Sequence, residues 1–195
     1  HPSSTSFTQQ TLALFRRHLR LSIVDPTLYL GRMVFFLMCC VFFGAIYIKA
    51  RDYHQDHAVS RVFLWMWVVA VPTMMCVVIV YACNEEFKVI RKETRNGFLS
   101  PAAYLIARTG IEIPMVLLLS LFALGVGGFG MMQFNPSVFF LIIAVWASML
   151  WSFECTAQVF SVLFSNPLVG MMMYVMYWFC SFVFAGMFVP EADII

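Results

Sequence analysis

The sequence predicts an all-α membrane protein, and three observations carry that prediction. Of its 195 residues 62% are apolar and 17% aromatic, while only 11% are charged, against the ~25% usual in soluble domains. Twenty-one Phe, fourteen Met and a mean hydropathy of +0.86 leave too little polar surface to clothe a soluble globule. The apolar residues also gather in runs of about 20, the length a helix needs to cross a ~30 Å hydrocarbon layer with its backbone satisfied internally. A soluble enzyme is excluded.

Residues 5–25 open the chain as an amphipathic helix. Leu12, Phe15, Leu19 and Ile23 recur at helical spacing, Gln10, Arg16, Arg17 and Arg20 gather on another side, and Leu14 and Leu21 fall off the stripe. Such a helix suits a membrane interface, where Arg side chains snorkel to headgroups; the alternative is a solvated helix of an upstream domain. Asp25-Pro26 breaks it. Apolar spans are expected at 28–48, 62–83, 101–132, 138–164 and 168–189, the third and fourth long enough to require tilt, a kink or extension beyond the bilayer. Between the second and third spans, residues 84–100 carry seven charges of both signs and must lie outside the lipid. Helical propensity is good over 85–96, where Glu86 and Glu93 share a face near Ile90. Asn96-Gly97 is the expected stop, and Pro101 opens the next span.

Lys and Arg set the orientation. Arg16, Arg17, Arg20, Arg32, Lys88, Arg91, Lys92, Arg95 and Arg108 fall on one side, and Lys49, Arg51 and Arg61 on the other, which puts the amino terminus of this integral membrane protein in the cytoplasm; the plasma membrane is the expected location. The loops at 49–61, at 131–137 and after Pro190 are then external and the Ser165-Asn166-Pro167 turn internal. A net charge of +2 gives no nucleic-acid footprint. The six cysteines lack ligand spacing and read as free thiols. The chain begins with His and without a signal pattern, as a segment of something longer would.

No GxxxxGK[ST], HExxH or GxSxG motif is present, so no catalytic residue is assigned. His54 and His57 are three apart but lack further ligands, and no metal is expected. Two carboxylates inside apolar segments need an explanation, since a charge near the bilayer centre costs about 3 kcal/mol even on the gentlest scale. Glu112 stands four residues after Arg108, which predicts an ion pair on one helix. Glu154 has Gln158 four residues on and no cation in its own helix; it is either protonated or hydrogen-bonded in the bundle, or it handles a proton or substrate. Pro72, Met75, Cys76 and Ile79, and Met172, Val175, Phe179 and Phe182, form soft or aromatic faces suited to helix packing or to apolar ligands.

The run Glu86-Phe-Lys-Val-Ile-Arg-Lys-Glu93, with Gly97, Tyr104 and Glu112-Ile113-Pro114 at the right intervals, resembles the membrane-domain signature of G-subfamily ABC transporters, the white and pleiotropic-drug-resistance type. That signature is approximately E-R-x-x-F-x-R-E, then G, Y and E-I-P; here Phe87, Ile90 and Lys92 depart from it. The resemblance continues in Val24-Asp25-Pro26, similar to an R-D-P element, and in Ala185-Gly186-Met187-Phe188-Val189-Pro190, similar to S-G-F-x-x-P.

The resemblance implies a type-2 ABC exporter membrane domain with an amphipathic connecting helix, five spans and a cytoplasmic coupling helix, without the family's nucleotide-binding domain and sixth span. Lipophilic compounds, lipids or sterols would be exported by ATP-driven alternating access. The implied partners are the bilayer, a nucleotide-binding domain of the same chain, which would hold ATP and Mg, and a second transporter half. Residues 85–96 would be the coupling helix, with Glu86 and Glu93 as anchors and Arg91 and Lys92 as partners. Cys76, Ile79, Phe179 and Phe182 would line a substrate cavity without a buried cation, and Met187 and Phe188 would plug it. Two other readings stay open: a multi-pass scaffold or lipid-binding subunit that transports nothing, and a proton-coupled carrier using Glu154.

Overall fold

The computed structural model describes residues 7–24, 29–51, 55–97 and 99–185, and among these it contains helices and no strand. The helices are α1 (Phe7–Val24), α2 (Leu30–Ile46), α3 (Ala58–Met75), α4 (Val77–Arg95), α5 (Pro101–Phe122), α6 (Phe139–Leu163) and α7 (Pro167–Val183). Asp25-Pro26, His54, Met187 and Phe188 lie outside the described residues.

Among the described residues three helical stretches are long and apolar enough to cross a membrane: Gln55–Arg95, Pro101–Gly130 and Pro136–Leu163. The helices Leu30–Ile46 and Pro167–Val183 are apolar but shorter, 17 residues each, about 26 Å at 1.5 Å per residue. Their outer surfaces are carbon-rich: Phe140, Leu163, Met172 and Met176 are all largely exposed on the isolated chain, as a lipid- or partner-facing surface must be.

The charged stretch after the second apolar run does not form a helix of its own. α4 runs without interruption from Val77 to Arg95, so its polar half is a rigid extension of its apolar half. Asn96 then caps the helix and Gly97 takes φ +74°, its N–H bonding the Thr94 carbonyl at 3.0 Å, the left-handed stop that glycine accepts without a Cβ clash. Asn-Pro pairs start two later elements: Asn135 Oδ1 accepts from the Ser137 N–H at 3.1 Å and Asn166 Oδ1 from the Leu168 N–H at 3.0 Å, with Pro at the first helical position, where no N–H is missed. Beyond Phe122 the expected third span changes character: Ala123–Met131 is a π-helical turn rich in glycine.

The break between α3 and α4 comes at Cys76, just past Pro72. Proline has no N–H, so the Val68 carbonyl one turn earlier loses its helical partner. The Trp146 indole of α6 supplies the missing donor, Nε1–H to Val68 O at 3.2 Å. On α7, the Tyr174 hydroxyl donates to the Thr73 carbonyl at 2.6 Å and Trp178 Nε1 to Thr73 Oγ1 at 2.9 Å. Two neighbouring helices thus satisfy the polar groups that the bend exposes.

Side chains pack in two clusters. The larger, with Phe36, Leu64, Val80, Leu124, Leu150 and Tyr174 at its centre, joins α2 to α7. The smaller unites Leu14 of α1, Ile90 of α4 and Ala103, Tyr104 and Ala107 of α5. The apolar stripe expected on α1 is therefore displaced: Leu14 is buried against α5 with Phe15 beside it, whereas Leu12 and Leu19 are exposed. Helix α1 uses one apolar edge for protein and leaves the other for its surroundings.

Candidate functional site

The small cluster supports a polar network that connects four helices. Its centre is Arg108 of α5, whose side chain is 11% exposed. Nε donates to Glu112 Oε1 at 2.7 Å, Nη1 to Glu86 Oε2 at 2.6 Å and to the Tyr104 hydroxyl at 2.6 Å, and Nη2 to Cys83 Sγ at 2.8 Å. The Tyr104 hydroxyl donates onward to Glu86 Oε1 at 2.9 Å, and Gln158 of α6 donates to Glu112 Oε1 at 2.7 Å. The Phe87 ring lies 5.6 Å from the guanidinium carbon, close enough for a cation–π contact. The planar fork of an Arg, and no Lys, spreads one charge over donors to two carboxylates at once.

Helix α1 joins the network through His18 and Arg17. His18 Nδ1 stands 3.5 Å from Glu86 Oε1, and its ring tilts against Tyr104 at 5.4 Å. Burial pushes the His18 pKa below its usual 6.5; Glu86 opposes this, and Arg108 and Arg17 add to it. Nε2 is buried with no acceptor in reach, so a proton there would be left unsolvated. Arg17 pairs with Glu93 at 3.2 Å near the end of α4.

The predicted anchors thus bind within the chain. Glu86 is held by Arg108, Tyr104 and His18, and Glu93 by Arg17; neither takes Arg91 or Lys92, which point outward as exposed cations. The Arg108–Glu112 pair forms as its spacing predicts.

A second buried pair lies deeper. Glu154 of α6 accepts from Arg32 Nη2 of α2, with the two side chains 3% and 9% exposed. Arg32, expected on the same side as the amino terminus, is buried in the bundle, and Arg108 is nearly so. Glu154 has a cation after all, on a helix 122 positions away in sequence. No spacing rule reports such a partner; the only signal was an Arg inside an apolar run.

The cavity residues are also redistributed. Cys76 and Ile79 are enclosed in the core, 0% and 4% exposed, so they line no surface of this chain. Helical geometry gives the reason: the α4 face carrying Ile79, Val80 and Cys83 packs on α6 and α7. The outward face carries Val78 and Tyr81 instead, with Met74 exposed at the end of α3. Phe179 is exposed, and Phe182 stacks on Trp178 at 5.2 Å beside an apolar cavity of ≈ 570 Å³ bordered by Val62, Trp65, Met66 and Val69 of α3. Among the described residues no group of three or more His, Cys, Asp or Glu is placed to hold a metal ion.

The family described as ABC-2 type transporter matches residues 9–194. A search of curated proteins finds no match.

Proposed function

Because the chain belongs to the ABC-2 type transporter family, we propose that it is the half of a G-subfamily exporter through which ATP-driven motion reaches a lipophilic substrate. As a member of that family it is a membrane-spanning permease component without catalytic activity of its own, and the ATPase lies in a separate domain. The match over residues 9–194 carries the reading.

In the proposed mechanism the end of α4, residues 85–95, faces the cytoplasm and receives the stroke of a nucleotide-binding domain that holds ATP and Mg. Because α4 is one rod, displacement at Arg95 reaches Val77 without loss in a flexible joint. The Arg108 network obliges α1, α5 and α6 to follow, since moving Glu86 alone would strip a nearly buried guanidinium of a carboxylate. Bending concentrates at Pro72–Cys76, where α3 meets α4. Two such halves would enclose the substrate between the exposed Met74, Val78 and Tyr81 and the exposed Met172, Met176 and Phe179. These flexible and flat side chains suit lipids, sterols or other lipophilic compounds.

The proton-carrier reading began from an unpaired Glu154, and the ion pair with Arg32 removes that motive. The complete protein in proteoliposomes tests the choice, with a fluorescent lipid as cargo. Export should require ATP and ignore an imposed proton gradient. Flux that follows the gradient and survives ATP depletion would overturn the reading.

A further inference from the structure

A cavity of ≈ 270 Å³ opens beside the polar half of α4, against the α6–α7 turn. Four cations border it, Lys88, Arg91, Lys92 and Arg95. Glu85 holds Lys88 at 2.7 Å and Glu93 turns away to Arg17; among the described residues no carboxylate pairs with Arg91, Lys92 or Arg95. Phe87 lies among the cations on α4, and the other side is mixed, with Ser161 and Ser165 beside Val162 and Phe164; the neighbouring Leu163 and Leu168 are exposed. Asn84 completes the wall. Its amide donates to the Ser161 and Phe164 carbonyls at 2.9 and 2.8 Å, and its Oδ1 is buried without a partner.

We infer that this cavity seats the headgroup of an anionic lipid of the cytoplasmic leaflet, a phosphoinositide in particular. Cations on one wall, with serine hydroxyls and exposed carbon on the other, is the arrangement of a headgroup–acyl boundary. Four Lys/Arg directly following the apolar half of a membrane helix are also what phosphoinositide headgroups recognise. The phosphate would take the place of the missing carboxylates. The inference rests on the proposed orientation, with residues 84–100 cytoplasmic, and not on transport.

The test uses the complete protein in nanodiscs of phosphatidylcholine, titrated with short-chain phosphatidylinositol 4-phosphate and read by native mass spectrometry without ATP. Saturable binding is expected, weakened about fivefold for each cation removed and on the order of 100-fold in Arg91→Gln/Lys92→Gln/Arg95→Gln. Lys49→Gln, which removes an exposed cation at the opposite side of the bundle, should bind as wild type. Three results would overturn the inference: equal binding by the triple variant, equal loss in the Lys49 control, or unchanged lipid binding with loss of the nucleotide-binding domain's docking. If the triple variant does not fold, Arg95→Gln alone carries the test through its fivefold loss. Because the readout needs no ATP, a protein that fails to transport can still bind, so the two readings fail separately.

Discussion

The pairing of Arg32 with Glu154 makes a prediction that depends on no transport assay. Both side chains are more than nine-tenths buried, and Arg32 Nε has no partner of its own, so Glu154 carries nearly all of the compensation for that charge. Removing one partner of such a pair costs about 3–5 kcal/mol, because a buried charge is left alone, whereas replacing both with apolar residues of similar volume is close to neutral. Arg32→Met and Glu154→Met should therefore each destabilise the bundle by about 3–5 kcal/mol, with Glu154→Met nearer 3. Arg32 lies in the first turn of α2 and can snorkel toward the interface when released. The double variant should fall within about 2 kcal/mol of wild type. Unfolding in mixed micelles with increasing dodecyl sulfate gives all three values and hence a coupling free energy of about 4 kcal/mol or more. Additivity within about 0.5 kcal/mol would mean that the two residues do not share an interaction, and the reasoning would fail.

Three other outcomes follow from the same geometry. His18 has a folded pKa below its usual value, so the unfolded chain binds the extra proton and stability is complete above about 6.5 and lost as pH falls through and below it; hydrogen-exchange protection factors in α1, referred to the intrinsic amide rate at each pH, should fall from pH 7.5 to 5.5 in wild type and stay level in His18→Gln. Trp146→Phe keeps most of the ring but leaves the Val68 carbonyl unpartnered, and should cost about 1–2 kcal/mol in the same unfolding titration; Trp146→His, if it restores a donor, should recover part of it. A Cβ on Gly127 would meet Cys40 Cβ of α2, while one on Gly125 meets nothing within 4 Å, so Gly127→Ala should lower the melting temperature by an overpacking cost of about 1–3 kcal/mol and Gly125→Ala should leave it unchanged or raise it.

Features that depend on one stretch of sequence were legible. Hydropathy marks the apolar helices because the bilayer requires unbroken apolar runs, Arg108–Glu112 pairs across a single helical turn, and Asn96-Gly97 ends α4 where a left-handed residue is needed. What was not legible depends on three-dimensional neighbours. Leu14, off the predicted stripe, is the buried residue because α1 docks on α5 as well as on its surroundings. Arg32 meets Glu154, and Trp146 meets Val68, across helices whose relative rotation no single-segment pattern specifies. Cys76 and Ile79 carry soft side chains at helical spacing, as a ligand face would, but core and cavity faces share that composition and burial alone separates them. The unbroken course of α4 was hidden by its change from apolar to charged residues, which marks where the helix leaves the lipid and not where it ends.

The central claim is that Glu86 and Arg108 fasten the end of α4 to the rest of the bundle, so that force applied there moves the whole half. Substrate-stimulated ATPase activity of Glu86→Ala in the complete, correctly assembled protein tests it most directly. The account predicts normal assembly and basal hydrolysis with the stimulation by lipophilic substrate abolished. Stimulation at the wild-type level in that variant would contradict it.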